Sequence, residues 1–410
     1  MNVLLQGLQE LLPGTPMLRS LAKFAAMVIL LSILLLILFD PYITNPAGKI
    51  LVIYDSEDND SPSKQGLIGI REAAKTLGGP EFVPVKFNDQ ENPYSQLAQS
   101  TVNVSILGVI STLTSPKSMP IVRFFRTLRV PLVVAVAAND DLLAPQNGTQ
   151  GLVFRIVPTN RMQALNIYDW VRTTGELAMK LPPDVPRHIA IFYEGNSFGT
   201  FLQQEFLKNL NPQDKEDNNG VTPEIITYNY SVNEHTEFAT LLPELRCNHT
   251  DLIAYFGYFP RSLELLNKLK SYPPPKTSPK ACNDHADGHD HSFVPVLLSD
   301  GAYQRELENL DKYQFPFPIW AALPTVPDLK HDLGYKYGYD AYTLVTRIRN
   351  STSNPLSRPA LIDILQFHEG AATQHEFTFD RFGELVNVPQ NKYKLHLLKS
   401  KIQSSQGGAQ

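Results

Sequence analysis

Residues 188–210 read HIAIFYEGNSFGTFLQQEFLKNL. The first six, His188–Tyr193, form a nearly continuous apolar run without alternation, the pattern of a strand buried on both faces. A turn containing Gly195 and Gly199 follows. Phe201–Leu210 then places apolar residues at three- and four-residue spacing, the pattern of an amphipathic helix. A doubly covered strand that leads straight into a helix is the repeating unit of a parallel α/β sheet.

The same alternation extends in both directions. Further apolar runs bounded by turn residues read as strands at Ile50–Tyr54, Phe82–Phe87, Val104–Ile110, Pro131–Val136, Glu224–Tyr230, Leu252–Tyr258, Val294–Ser299 and Pro318–Leu323. Helical spacing recurs at Gly66–Leu77, Met162–Lys180 and Leu263–Leu269. These strands are too many for one open sheet. Pro158-Thr159-Asn160 ahead of a long helix reads as the passage from one α/β unit to the next. Asn211–Thr222 and the Pro- and His-rich Ser271–Ser292 interrupt the rhythm, and residues 399–410 read as a polar tail.

The 410 residues allow two or three domains or lobes. Apolar residues make up 43% and charged residues 19%, which suffices for a full core and is too little charge for disorder. A net charge of -5 carries no polycationic footprint, so nucleic acid is not expected as a partner. Two cysteines exclude a disulfide scaffold and a four-cysteine zinc site.

Phe24–Phe39 is uncharged and rich in Leu and Ile, with Arg19 and Lys23 before it and Asp40 after it. The positive-inside rule puts residues 1–23 in the cytoplasm. Residues 24–43 read as a transmembrane signal anchor, a cleaved signal peptide being the alternative. Either way, the chain from about residue 44 is expected outside the cytoplasm. No second apolar stretch of spanning length occurs, so neither a transporter nor a channel is expected.

Several residue groups could carry chemistry. Gly195-Asn196-Ser197-Phe198-Gly199 fits the G-x-S-x-G turn of a serine hydrolase, with Ser197 as nucleophile and later groups such as Asp300 and His368 in a suitable chain order. Against this, glycine-rich strand-to-helix turns are common in α/β sheets, and no HGG-type oxyanion loop lies upstream. Cys282, His285, His289 and His291 are zinc or copper ligand types. Their spacing on a polar loop fixes no geometry, so no metal site is assigned. Cys247 and Cys282 are the disulfide candidate in an oxidising compartment. No phosphate loop is present, and no cofactor is expected.

Motifs along the chain resemble the type I periplasmic solute-binding proteins of the branched-chain amino acid (leucine/isoleucine/valine) group. The same fold forms receptor ligand-binding ectodomains. The matching residues are Leu113-Thr114-Ser115, Val130-Pro131 with Ala137-Ala138-Asn139, and Val153-Phe154-Arg155-Ile156-Val157-Pro158-Thr159. Tyr193-Glu194, Phe198-Gly199, Gly257-Tyr258, Ser299-Asp300-Gly301, Tyr339-Asp340-Ala341 and Phe377–Gly383 continue the series in the family's order. The resemblance spans residues 49 to 398. It implies two Rossmann-like lobes joined by three crossovers, lobe 1 from 49–158 and 325–372 and lobe 2 from 159–324 and 373–398.

The resemblance also implies a site. A ligand carboxylate would meet Ser115, Ala137 and Asn139, its ammonium would meet Asp300, and Phe198 and Tyr258 would close over it. Ser115 at a helix N-terminus suits an anion physically, because unpaired backbone N–H groups and the helix dipole converge there. Asn139 stands where the family has Thr, and Phe198 where it has Tyr. The implied function is extracytoplasmic capture of an amino acid or similar small carboxylate, for an ABC permease or a membrane sensor. The rivals are the Ser197 hydrolase and a non-binding interaction module with a decayed cleft.

Overall fold

The computed structural model describes residues 48–59, 61–102, 104–144, 152–173, 188–210, 224–230, 245, 250–259, 261–271, 294–303, 307, 315, 317–324, 333–351, 359, 361–362, 365, 379 and 393–398. The expected span at 24–43, Cys247, Cys282, the His-rich loop, His368 and the tail lie outside the described residues. Among those described, no helix is long and apolar enough to cross a membrane.

The first sheet holds β1 (Lys49–Tyr54), β2 (Phe82–Lys86), β3 (Ile106–Ser111), β4 (Leu132–Val134) and β5 (Val153–Arg155). All its pairings are parallel, in the order β2-β1-β3-β4-β5. The second sheet holds β6 (His188–Glu194), β7 (Glu224–Tyr230), β8 (Leu252–Phe256), β9 (Val296–Leu298), β10 (Ile319–Pro324) and β11 (Tyr393–Leu398). It runs β7-β6-β8-β9-β10-β11, parallel except for the antiparallel β10–β11 pair. Apart from β11, each sheet repeats one doubly wound order, in which the strand sequence reverses beside the first strand. Ligands of such sheets bind outside the carboxyl ends of the strands, at that reversal.

The strands explain themselves chemically. Ile50, Leu51, Val52 and Ile53 are completely buried, as the unbroken apolar run requires when helices cover both faces. The helices are α1 (Pro62–Leu77), α2 (Pro93–Thr101), α3 (Ser115–Thr127), α4 (Asn160–Thr173), α5 (Ser197–Leu210), α6 (Arg261–Ser271) and α7 (Leu333–Ser351). Ser61 caps α1 by accepting the Lys64 N–H, and Gly78 ends the helix in the left-handed region that glycine tolerates. In the second lobe Trp170 of α4 packs on Trp320 of β10, with ring centroids 5.2 Å apart.

The structure adds elements that the periodicity passed over. β5 has three residues with a buried arginine at its end and is not among the expected strands. α2 and α3 both open with proline near the N-terminus, and α3 holds Pro120 inside it. Their prolines imitate loop composition. α7 begins at Leu333 and carries the Tyr339-Asp340-Ala341 motif within it.

α1 and α7 pack backbone to backbone. A Cβ added at Gly338 would lie 2.0 Å from the Gly66 carbonyl oxygen, and one at Gly69 would lie 2.0 Å from that of Tyr335. This close approach sets the N-terminal turn of α7 beside the carboxyl ends of the first sheet.

Candidate functional site

The carboxyl ends of the two sheets meet across a cavity of about 50 Å³. One wall comes from the start of α1 (Pro62, Gln65), the loop after β4 (Val136, Ala138) and the start of α7 (Leu333, Gly334, Tyr337). The other comes from the loops after β6, β8 and β9, which contribute Phe198, Tyr258, Asp300, Gly301 and Tyr303. Both walls therefore sit where the two strand orders reverse or run on from the reversal. That is the position a ligand takes in doubly wound sheets.

Of the residues implied as ligand contacts, Phe198, Tyr258 and Asp300 line the cavity. Ala137 is buried, and its side chain packs in the first lobe's core with Leu113 and Ile121, while its neighbours Val136 and Ala138 reach the cavity wall. The Asn139 side chain caps the 3-10 turn Asp140–Leu143 by accepting the Asp141 N–H at 2.8 Å. Its amide donates to the Ser197 carbonyl at 3.5 Å, so it bridges the lobes. Asn160 does the same: its N–H donates to the Ala138 carbonyl at 3.0 Å and its side chain to that of Phe198 at 3.3 Å.

Ser115 is buried at the first turn of α3, whose N-cap residue Thr114 makes no side-chain capping bond. The Ser115 hydroxyl accepts the Asn139 N–H at 3.2 Å. Tyr258 of the opposite lobe lies near this terminus, where Ser115 acts on its phenol. Burial, opposed by Ser115 and helped by the Glu194 and Asp300 carboxylates, pushes the Tyr258 phenol far above its ordinary pKa. It stays neutral.

Tyr258 is held from several sides. Its ring stacks on Phe198 with centroids 4.7 Å apart. Its N–H donates to Glu194 Oε1 at 2.9 Å, and the Tyr255 hydroxyl donates to the same oxygen at 3.2 Å. Asn196 donates to Glu194 Oε2 at 2.5 Å. Glu194 is therefore a buried positioning group for the β8 loop. Gly301 completes the arrangement, because a Cβ there would come within 3.0 Å of both the Phe198 and Tyr258 rings. Asp300 accepts the Gly301 N–H at 2.7 Å and turns its charge towards the cavity wall.

Two residues were missed by sequence reasoning. Arg155 is completely buried, donates to the Asn139 carbonyl at 2.5 Å and lies 4.0 Å from Asp140. It props the loop after β4. An always-charged side chain inside the apolar run Val153–Val157 was its signal. Tyr337 lines the cavity, and its buried hydroxyl has no hydrogen-bond partner. Burial, then Asp300 and Asp340, push its phenol well above the ordinary value.

The G-x-S-x-G turn has a packing explanation. Asn196 caps α5 by accepting the Phe198 and Gly199 N–H groups at 3.0 and 2.9 Å. A Cβ at Gly199 would lie 2.5 Å from the Glu194 carbonyl and 2.6 Å from that of Phe256. The Ser197 hydroxyl is buried without a hydrogen-bond partner, so no base among the described residues activates it. His188 sits at the amino end of β6, the far end from Ser197, against Glu224 and Asp251. Ser197→Ala is expected to leave binding intact and stability within about 1 kcal/mol of wild type, because the hydroxyl lost is an unsatisfied buried group. Calorimetric unfolding and ligand titration check this, and a large loss of function would revive the nucleophile.

No protein-family model matches the chain, and no curated protein matches it. Solved structures do. The branched-chain amino acid transporter substrate-binding protein LivJ from Streptococcus pneumoniae, in complex with isoleucine, matches with a TM-score of 0.60 at 14% identity. The match covers 85% of this chain and 99% of that one. A leucine-binding protein, LivK, from Thermotoga maritima gives 0.61 at 14% identity over 85% and 97% of the two chains. A solute-binding protein of an ABC transporter from Rhodopseudomonas palustris, in complex with p-hydroxybenzoic acid, gives 0.61 at 14% identity over 82% and 90%. With two parallel-sheet lobes in the same doubly wound order and a cavity between their carboxyl ends, the chain has the type I periplasmic-binding-protein fold.

Proposed function

We propose that the protein captures a small organic solute in the cleft between its lobes and makes or breaks no bond. The observation that carries this reading is the cavity walled by segments from both sheets, with Asp300 and stacked aromatic rings on one side. Sites divided between two lobes convert ligand contacts into hinge closure. The solved relatives in fold are substrate-binding proteins of ABC transporters, which supports delivery to a permease or presentation to a membrane sensor. The apolar run at 24–43 with its basic N-terminal flank supports a membrane-tethered protein whose lobes lie outside the cytoplasm.

A thermal-shift screen of residues 44–410 against amino acids, amines and small carboxylates tests capture. A ligand at a hundred times its Kd is expected to stabilise the fold by about 2.7 kcal/mol. Absence of a shift across all three classes would count against solute capture. Protease accessibility in cells with a permeabilised outer barrier tests the location, and a protected soluble part would overturn it.

A further inference from the structure

Resting on the membrane-tether reading, we infer that the amino end of the first sheet docks on the bilayer that holds residues 24–43, as a surface for acidic phospholipid headgroups. β2, β3 and β4 run in the same direction as β1. The helices that precede them, α1, α2 and α3, therefore all end on the side where the chain enters β1. Only residues 44–48 lie between the apolar run and Lys49, the first residue of β1. Five residues reach at most about 18 Å even when fully extended. The tether thus keeps this end of the lobe within reach of the headgroups.

The side chains there suit such a surface. Of the five large apolar side chains exposed among the described residues, three share this end: Leu77, Val102 and Leu128 close α1, α2 and α3. Lys75, Arg126 and Arg129 stand beside them, and none of these has an acidic partner among the described residues. Of the two acids nearby in sequence, Glu81 is paired with Lys49 at 2.6 Å and Glu72 lies a turn further inside α1. Apolar side chains flanked by basic ones hold a membrane interface by burying area and by pairing with phosphate. Docked this way, the lobe keeps the cavity, at the opposite ends of its strands, clear of the lipid.

Arg129 supplies a further observation. α1 and α3 both close through the left-handed region, at Gly78 with φ 61° and at Arg129 with φ 53°. In α3 the Arg129 N–H donates to the Arg126 carbonyl and the Val130 N–H to that of Phe125, both at 3.0 Å, which is the turn that glycine usually completes. Among the described residues Arg129 is the one non-glycine at positive φ. Its backbone gains nothing from a side chain at this position, which glycine occupies without strain. What the arginine adds is an exposed charge on the face that meets the tether.

The test uses the full chain reconstituted in vesicles of phosphatidylcholine and phosphatidylglycerol in equal parts, with brominated acyl chains as quencher. Trp170 and Trp320 pack on each other in the second lobe and give a constant background. In Leu128→Trp and, separately, in Val102→Trp, the added indole is expected to be quenched at least about threefold more than in Gln90→Trp. Gln90 is exposed in the loop after β2, at the opposite end of the sheet. Vesicles of phosphatidylcholine alone should release the face. Arg129→Gly, added to Leu128→Trp, should weaken the docked state by about fivefold while the unfolding midpoint stays level or rises. If the chain floats with the vesicles and neither reporter is quenched beyond Gln90→Trp, the tether stands and the docking falls. If the chain does not float with them, both fall. Equal quenching at all three positions would also overturn the docking. So would quenching that responds neither to lipid charge nor to Arg129→Gly, since the basic residues would then not be what holds the face.

Discussion

Gly338→Ala is expected to unfold at markedly lower denaturant concentration than wild type, with a loss of at least about 2 kcal/mol. The added methyl would stand 2.0 Å from the Gly66 carbonyl oxygen, 2.6 Å from its carbon and 2.7 Å from its Cα. All three are backbone atoms of a neighbouring helix, so no side chain can swing aside. Two effects oppose each other. Alanine in place of glycine inside a helix gains about 1 kcal/mol of propensity. Overpacking typically costs about 1–3 kcal/mol, and here the obstacle is main chain on both sides of the contact. The clash wins because α1 cannot retreat alone: Gly69 already meets the Tyr335 carbonyl, and Gly334 meets that of Pro62. Prising α7 away from α1 would also carry Leu333, Gly334 and Tyr337 off the cavity wall, so ligand affinity should fall together with stability. Urea unfolding and ligand titration on the same variant are the measurements. A variant as stable as wild type would show that the helices are further apart than this packing requires.

That helix pair also shows what could be read in advance. α1 is visible from its period, whereas α7 is not among the helices that the spacing predicts. The glycines that join them carry no local signal, because Gly66, Gly69, Gly334 and Gly338 acquire meaning only when two helices distant in sequence meet. The long buried strands were legible because covering both faces of a sheet demands unbroken apolar runs, and β1, β6 and β8 have them. β5 was not legible, since three residues ending in an arginine are too short to show a pattern. The site divides in the same way. Phe198, Tyr258 and Asp300 could be placed because the family resemblance implied them, and they lie a few residues past the carboxyl ends of β6, β8 and β9. The approach of Tyr258 to Ser115 could not, because it crosses from one lobe to the other and depends on how the lobes close. Tyr337 went unremarked because a tyrosine at helical spacing reads as core until its hydroxyl is seen to lack a partner.

Asp300→Asn is expected to reduce affinity for the best amine or amino-acid ligand from the thermal-shift screen by about thirty-fold or more, with a much smaller change in the stability of the unliganded protein. The substitution is close to isosteric and keeps an acceptor for the Gly301 N–H, which Asp300 Oδ1 now receives at 2.7 Å. What it removes is charge. In the bound state that charge faces an ammonium in a cavity walled mainly by rings and apolar side chains, where losing one partner of a desolvated pair costs about 2–5 kcal/mol. In the unliganded state the same carboxylate acts on the enclosed phenols of Tyr258 and Tyr337, and Glu194 adds a second negative group beside Tyr258. Neutralising Asp300 removes its charge from beside those phenols without opening a void. Loss of binding without loss of stability is the signature of a group kept for its ligand at some expense to the fold. Thermal unfolding without ligand and calorimetric titration with it separate the two quantities. Full affinity in Asp300→Asn would remove Asp300 from the site. A large drop in unliganded stability would instead make it a structural turn residue, its bond to Gly301 mattering more than its charge.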